Sequence, residues 1–293
     1  VERYGCSVAI IESPDQLQEG EFEKRESACD VTLLPTRVGD RADYRFALRH
    51  ADRFLVFARQ DARPPRPFPL TLTEDSPARK FRLVDVVMLH EGAKSGSVAD
   101  WVDVVDAHRI FHVTGSRTTE RIARVIAGRS VGVVMSGGGA RAYAHIGAIK
   151  ALRERHVPID FLGGASMGAV IAACVAMGWN DQEIEARVRD GFVSSNPLGD
   201  HVLPVVALTR GQRVEERLKR HFGDTLIEDL ETPFFCTSSE MTKGVTRVHR
   251  RGLLRQALRA SISLPGILPP VVEGGLLLVD GAVMNNFPAD LMN

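Results

Sequence analysis

The residues that could do chemistry begin with a serine between two glycines. Ser166 is the centre of Gly164-Ala165-Ser166-Met167-Gly168, a G-x-S-x-G pattern typical of a sharp turn between a strand and a helix. Glycines let the backbone bend tightly there and let other groups approach the hydroxyl. The N-terminus of the following helix favours negative charge at the same place. The pattern therefore predicts a nucleophilic serine on an elbow that is shaped by Gly164 and Gly168.

A glycine-rich loop precedes this serine by one predicted strand, in Gly137-Gly138-Gly139-Ala140-Arg141. Adjacent glycines between a strand and a helix let backbone N–H groups converge, which suits either a phosphate or the oxyanion of a tetrahedral intermediate. A dinucleotide fingerprint would have glycine in place of Ala142 and an acidic residue near the end of the next strand. Asp160 is at roughly the right distance but precedes the end of its strand, and no Walker lysine is present. Because Ser166 lies one strand later, the oxyanion hole is favoured, and phosphate binding stays open as the alternative.

A serine hydroxyl is a weak nucleophile and needs a general base, and residues after Ser166 are the candidates. Asp280 ends an apolar run, at a strand terminus where parallel sheets build their sites. No histidine follows Asp280, so the order differs from the Ser, acid, His order of α/β-hydrolases. His201 and His221 lack a recognisable motif, and the arginines around His249 would depress its pKa. The simplest constellation is a Ser166–Asp280 dyad, in which Asp280 takes the serine's proton and later helps to activate water.

The elements that must position these residues are predicted as strands that run into loops. A strand over Ser130–Met135 leads into the glycine loop, and an apolar run over Val157–Leu162 leads into the serine turn. A helical pattern over Ala169–Trp179 follows the serine. The segment Phe161–Trp179 is uncharged and long enough to cross a membrane. Its glycines and Ser166 favour a buried helix behind a nucleophile instead.

The first part of the chain, residues 1–128, is predicted to be an α/β unit. Short apolar strands alternate with helical patterns, which indicates a parallel sheet. The predicted strands cover residues 7–11, 30–34, 54–57 and 83–89, and the predicted helices cover 43–52, 97–105 and 118–127. Four prolines between Arg63 and Pro69 predict a loop. His90, His108 and His112 are interpreted as structural or surface residues, so nothing in this region predicts catalysis.

Composition limits the class of protein. The 293 residues suggest two domains or one large one, and the 37 basic and 37 acidic residues leave no net charge, which argues against a nucleic-acid partner. Four scattered cysteines favour a reducing compartment and offer no zinc site. No signal peptide is visible, and a first residue of valine suggests a fragment of a longer chain. We expect a domain boundary at residue 129, directly before the strand that leads into the glycine loop.

Taken together, these motifs resemble the patatin-like phospholipases. The glycine loop, the elbow around Ser166 and Asp280-Gly281-Ala282 match that family in order and spacing. Further segments are similar to the neuropathy target esterase branch and its bacterial relatives: Ser97–Trp101, Arg121–Arg124, His249–Gly252, Leu258–Gly266, Pro269–Val271 and Asn285–Asp290. The resemblance extends from about residue 95 to the end and is loose over residues 1–94.

The resemblance implies a serine esterase on a three-layer α/β/α sandwich with a mostly parallel central sheet, preceded by the smaller α/β region. It implies Ser166 as nucleophile, Asp280 as general base and residues Gly137–Arg141 as the oxyanion loop. It implies acyl esters of phospholipids or lysophospholipids as substrates at a membrane surface, and no metal or cofactor. A longer parent chain would carry a cyclic-nucleotide-binding domain upstream. Such a protein is expected in the cytoplasm, peripheral at the inner face of a membrane.

Several departures keep other functions open. Ala142 stands where the family usually has glycine, and Ala165 and Met167 flank the serine where other residues are common. Relatives continue beyond Asn293, so the catalytic region 129–293 is expected to be truncated. Ala165 and Met167 are compatible with an elbow, so Ala142 and the short C-terminus are the support for a catalytically inactive regulatory module. The glycine loop itself is the basis of a nucleotide-binding alternative. A proline-interrupted apolar segment predicts either a mobile flap beside the serine or ordinary core: Ile262, Leu264, Ile267, Leu268, Val271 and Val272.

Overall fold

The computed structural model describes most of the chain as two compact units. They are Val1–Ser130 and Val131–Asn293. The described residues are 1–18, 20–39, 41–59, 61–66, 83–90, 98–194, 196–203 and 206–292.

The first unit alternates strands with helices, as predicted. Its strands are β1 Val8–Ile10, β2 Val31–Leu33, β3 Arg53–Arg59, β4 Leu83–Leu89 and β5 Arg109–Val113. Its helices are α1 Glu21–Ser27, α2 Ala42–His50, α3 Val98–Val105 and α4 Ser116–Ile126. Every strand pair in the described residues of this unit is parallel, but the strands divide between a β1-β2 pair and a β3-β4-β5 sheet.

Two elements of the first unit, helix α1 and strand β5, were not expected from the sequence. Strand β5 was not predicted, because the short run from Arg109 to Val113 is interrupted by His112. His112 is nevertheless buried, and it hydrogen-bonds to His90 with 2.9 Å between the ring nitrogens Nδ1 and Nε2. The last residues of the predicted proline-rich loop, 67–69, and Ser97 lie outside the described residues.

The second unit is a three-layer α/β/α sandwich around a mixed sheet, with two parallel and three antiparallel strand pairings among the described residues. Its strands are β6 Gly132–Met135, β7 Phe161–Ala165, β8 Phe234–Glu240, β9 Val245–His249, β10 Val271–Glu273 and β11 Leu276–Asp280. Its α-helices are α5 Ala144–Glu154, α6 Ser166–Ala176, α7 Asp181–Val188, α8 Gln212–Phe222 and α9 Leu254–Ser261. The main sheet order is β10-β11-β8-β7-β6, and β9 pairs with β8. The predicted fold class is confirmed.

Strand β8 organises the centre of this sheet because three strands pair with it. Strand β7 pairs in parallel with its first half, up to Ala165 opposite Thr237. Strand β11 pairs antiparallel with its second half, up to Asp280 opposite Ser238. Strand β9 pairs along residues 236–240, so it occupies the other edge. Strands β7 and β11 therefore meet end to end along one edge of β8, and their last residues are neighbours.

Helix α6 is the centre of the hydrophobic core. All of its residues from Ser166 to Ala176 are buried, so it has no polar face. The uncharged segment that could have crossed a membrane is thus divided between strand β7 and a helix enclosed by protein. Over the residues that the structure describes, no helix is long and apolar enough to cross a membrane.

Candidate active site

The serine elbow joins strand β7 directly to helix α6. The strand covers Phe161–Ala165, so it begins and ends later than the predicted apolar run. The residue before it has another contact: the Asp160 carboxylate accepts the Val131 amide at 3.0 Å. Helix α6 begins at Ser166 itself, whose φ of 52° lies in the left-handed region. A non-glycine residue in this conformation costs roughly 1–2 kcal/mol. Such local strain is typical of functional sites and presents the hydroxyl at the tip of the turn.

The two glycines of the elbow are needed because backbone atoms approach them closely. A Cβ atom on Gly164 would lie 2.8 Å from the Met135 carbonyl oxygen and from the Ala169 nitrogen. A Cβ atom on Gly168 would lie 2.4 Å from the carbonyl oxygens of both Met135 and Ser136. These glycines let strand β6 and its loop pack directly against the elbow. They bring the glycine loop next to Ser166.

Replacing Gly168 with alanine is expected to lower the free energy of unfolding by about 3 kcal/mol, the upper end of the usual cost of overpacking. The added methyl group meets two backbone oxygens, which cannot rotate away. Gly147 is the matched control, because it lies in the exposed part of α5 and a Cβ there meets no atom within 4 Å. Gly147→Ala should raise stability by about 0.5–1 kcal/mol. Denaturant unfolding of the two variants checks the difference, and equal stabilities would contradict this account of the elbow.

The structure brings Ser166 and Asp280 into direct contact. Ser166 Oγ donates a hydrogen bond to Asp280 Oδ2 at 2.6 Å, across 114 residues of sequence. Both residues are buried, with 8% and 2% of their surface exposed. Burial raises the pKa of Asp280 above its ordinary range, while the hydrogen bonds from Ser166 and from the Ala282 amide act in the opposite direction. The carboxylate is thus a better proton acceptor than an exposed aspartate would be.

The turn after Asp280 holds its carboxylate and its carbonyl. Asp280 Oδ1 accepts the Ala282 amide at 2.8 Å, which leaves Oδ2 directed at the serine. The Ser239 hydroxyl donates to the Asp280 carbonyl at 2.9 Å and accepts the Met284 amide at 3.0 Å. Gly281 has to be glycine, since a Cβ there would lie 2.3 Å from the Thr237 carbonyl oxygen. The Asp-Gly-Ala sequence therefore has a hydrogen-bonding reason for its first position and a steric reason for its second.

The glycine loop lies against the serine. A Cβ atom on Gly137 would be 3.0 Å from the Ser166 Cβ and 2.7 Å from Asn286 Oδ1. The Gly137 amide donates to the Asn286 carbonyl at 3.1 Å, and the Arg141 amide donates to the Gly138 carbonyl at 3.1 Å. Of the five predicted loop residues, all within the described part of the chain, the amides left without a protein acceptor are those of Gly138, Gly139 and Ala140. These three amides are the candidate oxyanion donors.

Comparisons with known proteins agree with this arrangement. The sequence profile described as "Patatin-like phospholipase" matches residues 133–292, which contain the glycine loop, the elbow and Asp280. The chain belongs to the patatin-like phospholipase family.

Named relatives of this patatin-like chain belong to the neuropathy target esterase (NTE) branch, as its motifs predicted. An uncharacterised NTE family protein of Mycobacterium tuberculosis is 48% identical over 181 residues, which is 62% of this chain and 31% of that protein. Lysophospholipase NTE1 of Candida glabrata is 38% identical over 57% of this chain and 10% of its own length. Human patatin-like phospholipase domain-containing protein 6 is 30% identical over 94% of this chain and 23% of its own length. The chain thus spans a third or less of these relatives.

Ala142, the departure from the usual patatin-like loop, fits the structure without strain. It lies in a 3-10 helix, Gly139–Tyr143, where it is buried in the core. Its φ is not positive, so glycine is not required there. Arg141 is exposed on the same turn. The Nε2–H of His145 donates to the Ser136 carbonyl at 3.0 Å and supports the start of the loop, a contact that the sequence did not reveal.

The histidines that follow Ser166 in this patatin-like domain have other partners. His249 is buried and hydrogen-bonds to the Ser238 hydroxyl at 2.7 Å. Burial is the main reason that its pKa falls to about 4, and Arg247 lowers it further. His221 Nε2 lies 3.0 Å from the carboxylate of Asp190, and His201 is exposed in a loop bridge. Among the described residues, the hydrogen-bond acceptor of the Ser166 hydroxyl is Asp280.

The segment predicted as flap or core is partly core. Ile262 and Leu268 are buried in the main core, and Ile267 packs against it. Leu264 and Val272 are 49% and 71% exposed.

The Asp160 carboxylate, which a dinucleotide site would need for a ribose, is fully buried and accepts the Val131 amide. These placements favour the oxyanion interpretation of the glycine loop over nucleotide binding.

Proposed function

We propose that this chain is a serine esterase that hydrolyses acyl esters of lysophospholipids or phospholipids through an acyl-Ser166 intermediate. The observation that carries the proposal is the 2.6 Å hydrogen bond from the serine hydroxyl to a buried aspartate. The family and the relatives named as lysophospholipases support an acyl ester of a lipid as the substrate.

Acylation begins when Ser166 Oγ attacks the ester carbonyl carbon. The hydroxyl proton passes to Asp280 Oδ2 as the new carbon–oxygen bond forms. The carbonyl oxygen becomes an oxyanion, which the amides of Gly138, Gly139 and Ala140 and the N-terminus of helix α6 stabilise. The tetrahedral intermediate then breaks its bond to the glycerol oxygen. Asp280 returns the proton to that oxygen, and the lysolipid or glycerophosphodiester leaves as an alcohol.

Deacylation repeats these steps with water as the nucleophile. Asp280 accepts a proton from water, the hydroxide oxygen attacks the acyl carbon, and the same amides stabilise the second oxyanion. The intermediate collapses by breaking the bond to Ser166 Oγ, which recovers its proton from Asp280. The fatty acid leaves, and the dyad returns to its starting state. One carboxylate therefore serves as base and acid in both halves of the reaction.

Exposed apolar side chains near the dyad support a lipid surface as the place of reaction. Leu264 follows Ser263, whose carbonyl accepts the Asp280 amide, and 49% of its surface is exposed. Ala207 forms a β-bridge with Gly266, two residues after Leu264. The neighbours of Ala207, Val206 and Leu208, are exposed. An acyl chain leaving a membrane or micelle would meet apolar groups at this side of the site.

A burst of alcohol release followed by slower fatty-acid release is expected in rapid-mixing experiments with an activated ester. With a lysophospholipid as substrate, added methanol should compete with water for the acyl-enzyme and yield fatty acid methyl ester. Mass spectrometry of the products measures the ratio of methyl ester to free acid. A control with the product fatty acid and methanol excludes simple esterification. Hydrolysis without methyl ester and without a burst would argue for direct attack by water and against acyl-Ser166.

A further inference from the structure

The C-terminal end of helix α9 carries buried polar side chains that the sequence did not link to the dyad. Arg259, Ser261 and Ser263 are almost completely enclosed, and both serines have no exposed surface. Buried polar groups of this kind are retained where they are fully hydrogen-bonded. Their partners show that this segment touches both halves of the active site.

Ser261 is bonded to the backbone of the nucleophile. The amide of Ser166 donates to Ser261 Oγ at 2.9 Å, across 95 residues of sequence. Ser166 is the residue with a φ of 52°, so this hydrogen bond acts on the strained peptide of the elbow. It also occupies the Ser166 amide, which is therefore not one of the oxyanion donors. The elbow conformation that points Oγ at Asp280 is held by a side chain from another helix.

The same segment holds the aspartate. The amide of Asp280 donates to the Ser263 carbonyl at 2.9 Å. Ser263 is fixed in turn by Arg259: its hydroxyl donates to the Arg259 carbonyl at 2.7 Å and accepts from Nη1 at 2.5 Å. Arg259 Nη2 also donates to the Pro269 carbonyl at 3.1 Å, and its Nε lies 3.3 Å from the carboxylate of Glu215. The end of α9 thus sets the positions of two residues that come from different strands.

We propose that Ser261 is a positioning residue for the esterase reaction: its hydroxyl holds the Ser166 peptide in the left-handed conformation in which the nucleophile faces Asp280. Ser261 bonds to the Ser166 amide, whereas the reacting oxygen bonds to Asp280, so Ser261 acts through the backbone of Ser166. The inference rests on the proposed function, because it assigns a role in delivering the same nucleophile.

The test measures the rate at which the serine of each competent site is phosphonylated. Wild-type protein, Ser261→Ala and Ser261→Cys are mixed with a fluorophosphonate, which gives both the fraction of labelled protein and the rate at which that fraction reacts. Thr118→Ala is the matched control, since it removes a buried hydroxyl that donates to a carbonyl, His112 O, at 2.8 Å. We expect the rate per labelled site to fall about 10- to 100-fold in Ser261→Ala, as for a small misplacement of a reacting group.

Ser261→Cys keeps the shape of the side chain with a slightly larger atom, but its sulfur is a weak acceptor, so it should also be slow. In both variants kcat for an ester should fall with little change in KM. Thr118→Ala should keep the wild-type rate per labelled site even if it is less stable. A purely structural role would reduce the labelled fraction of Ser261→Ala and leave its rate per site unchanged, which would overturn the inference. A rate restored by cysteine would overturn it too, because packing and not the hydrogen bond would then be responsible. Failure of wild-type protein to label would instead refute the proposed function.

Discussion

Replacing Ser166 with alanine is expected to lower ester hydrolysis by about 10⁴-fold or more and to abolish labelling by a fluorophosphonate. The substitution removes the oxygen that attacks the substrate, and loss of a nucleophile usually costs this much because the other groups act only together with it. The amides of Gly138, Gly139 and Ala140 remain, so a small residual rate above that in water is expected. Steady-state hydrolysis and gel detection of the labelled protein measure both effects.

The fold should survive this change. Alanine occupies the same space in helix α6, and the amide of residue 166 can still donate to Ser261. Circular dichroism and thermal unfolding should therefore stay close to those of the wild type. Ser116→Ala, at the exposed start of α4, is the control for a serine outside the site. Labelling of the Ser166→Ala protein at another residue, with hydrolysis intact, would refute the assignment of the nucleophile.

Replacing Asp280 with asparagine is expected to lower turnover by about 10³-fold, within the range for loss of a general base. Asparagine has nearly the same shape, and its amide oxygen can still accept the Ala282 amide. Its NH₂ group would face Ser166 Oγ, so the hydroxyl would have no acceptor for its proton. Measurement of kcat and of the fluorophosphonate rate should show both reduced. Turnover that persists in Asp280→Asn and disappears on replacing His249 would favour a histidine base.

The pH dependence of the wild type follows from the raised pKa of Asp280. Turnover requires the carboxylate, so kcat should fall as the pH is lowered through this raised pKa.

The stability of the fold has the opposite dependence on pH. In the unfolded chain Asp280 loses its carboxyl proton near pH 3.8, whereas in the folded protein it keeps that proton to higher pH. Between the two values the unfolded state binds fewer protons, so the free energy of unfolding decreases as the pH rises. Below the ordinary value this contribution is fully present.

The same linkage separates catalysis from stability in the Asp280→Asn variant. Asparagine carries no buried charge, so the variant should be at least as stable as the wild type at neutral pH. Its advantage should shrink as the pH falls and Asp280 becomes protonated. Denaturant unfolding at several pH values measures the difference. A variant that is inactive and also much less stable at neutral pH would mean that Asp280 mainly supports the fold.

Local motifs made much of the candidate site predictable. The elbow, the glycine loop and Asp280 are each short patterns, and each has a steric or chemical reason that acts within a few residues. Gly168 and Gly281 show this directly, because backbone oxygens lie where a side chain would begin. The apolar run over residues 83–89 likewise predicted β4. Resemblance to the patatin-like family added the fold.

Other elements were missed because hydrophobicity did not mark them. The second half of β8 is Thr237-Ser238-Ser239-Glu240, a polar sequence that is nevertheless completely buried. Three of these side chains have hydrogen-bond partners: Ser238 bonds to His249, Ser239 to the Asp280 carbonyl and the Met284 amide, and Glu240 to the Thr242 amide. The Thr237 hydroxyl is buried without one among the described residues. Asn286 was noted only as part of a motif, and its carbonyl proves to hold the Gly137 amide. Such hydrogen-bond partners are distant in sequence, so no local sequence pattern predicts them.

The sequence by itself predicted which residues would carry the chemistry: a serine on a glycine elbow, a glycine-rich loop and an aspartate at a strand end. Their local conformations depend on nearby residues, so patterns in the chain suffice. Only the tertiary structure decided that Ser166 and Asp280 meet, because this depends on β8, which pairs with β7 and β11 along one edge. It also decided that Ser261 holds the elbow and that three loop amides are free. Those facts arise from the packing of segments that are far apart in the chain, where geometry alone selects the partners.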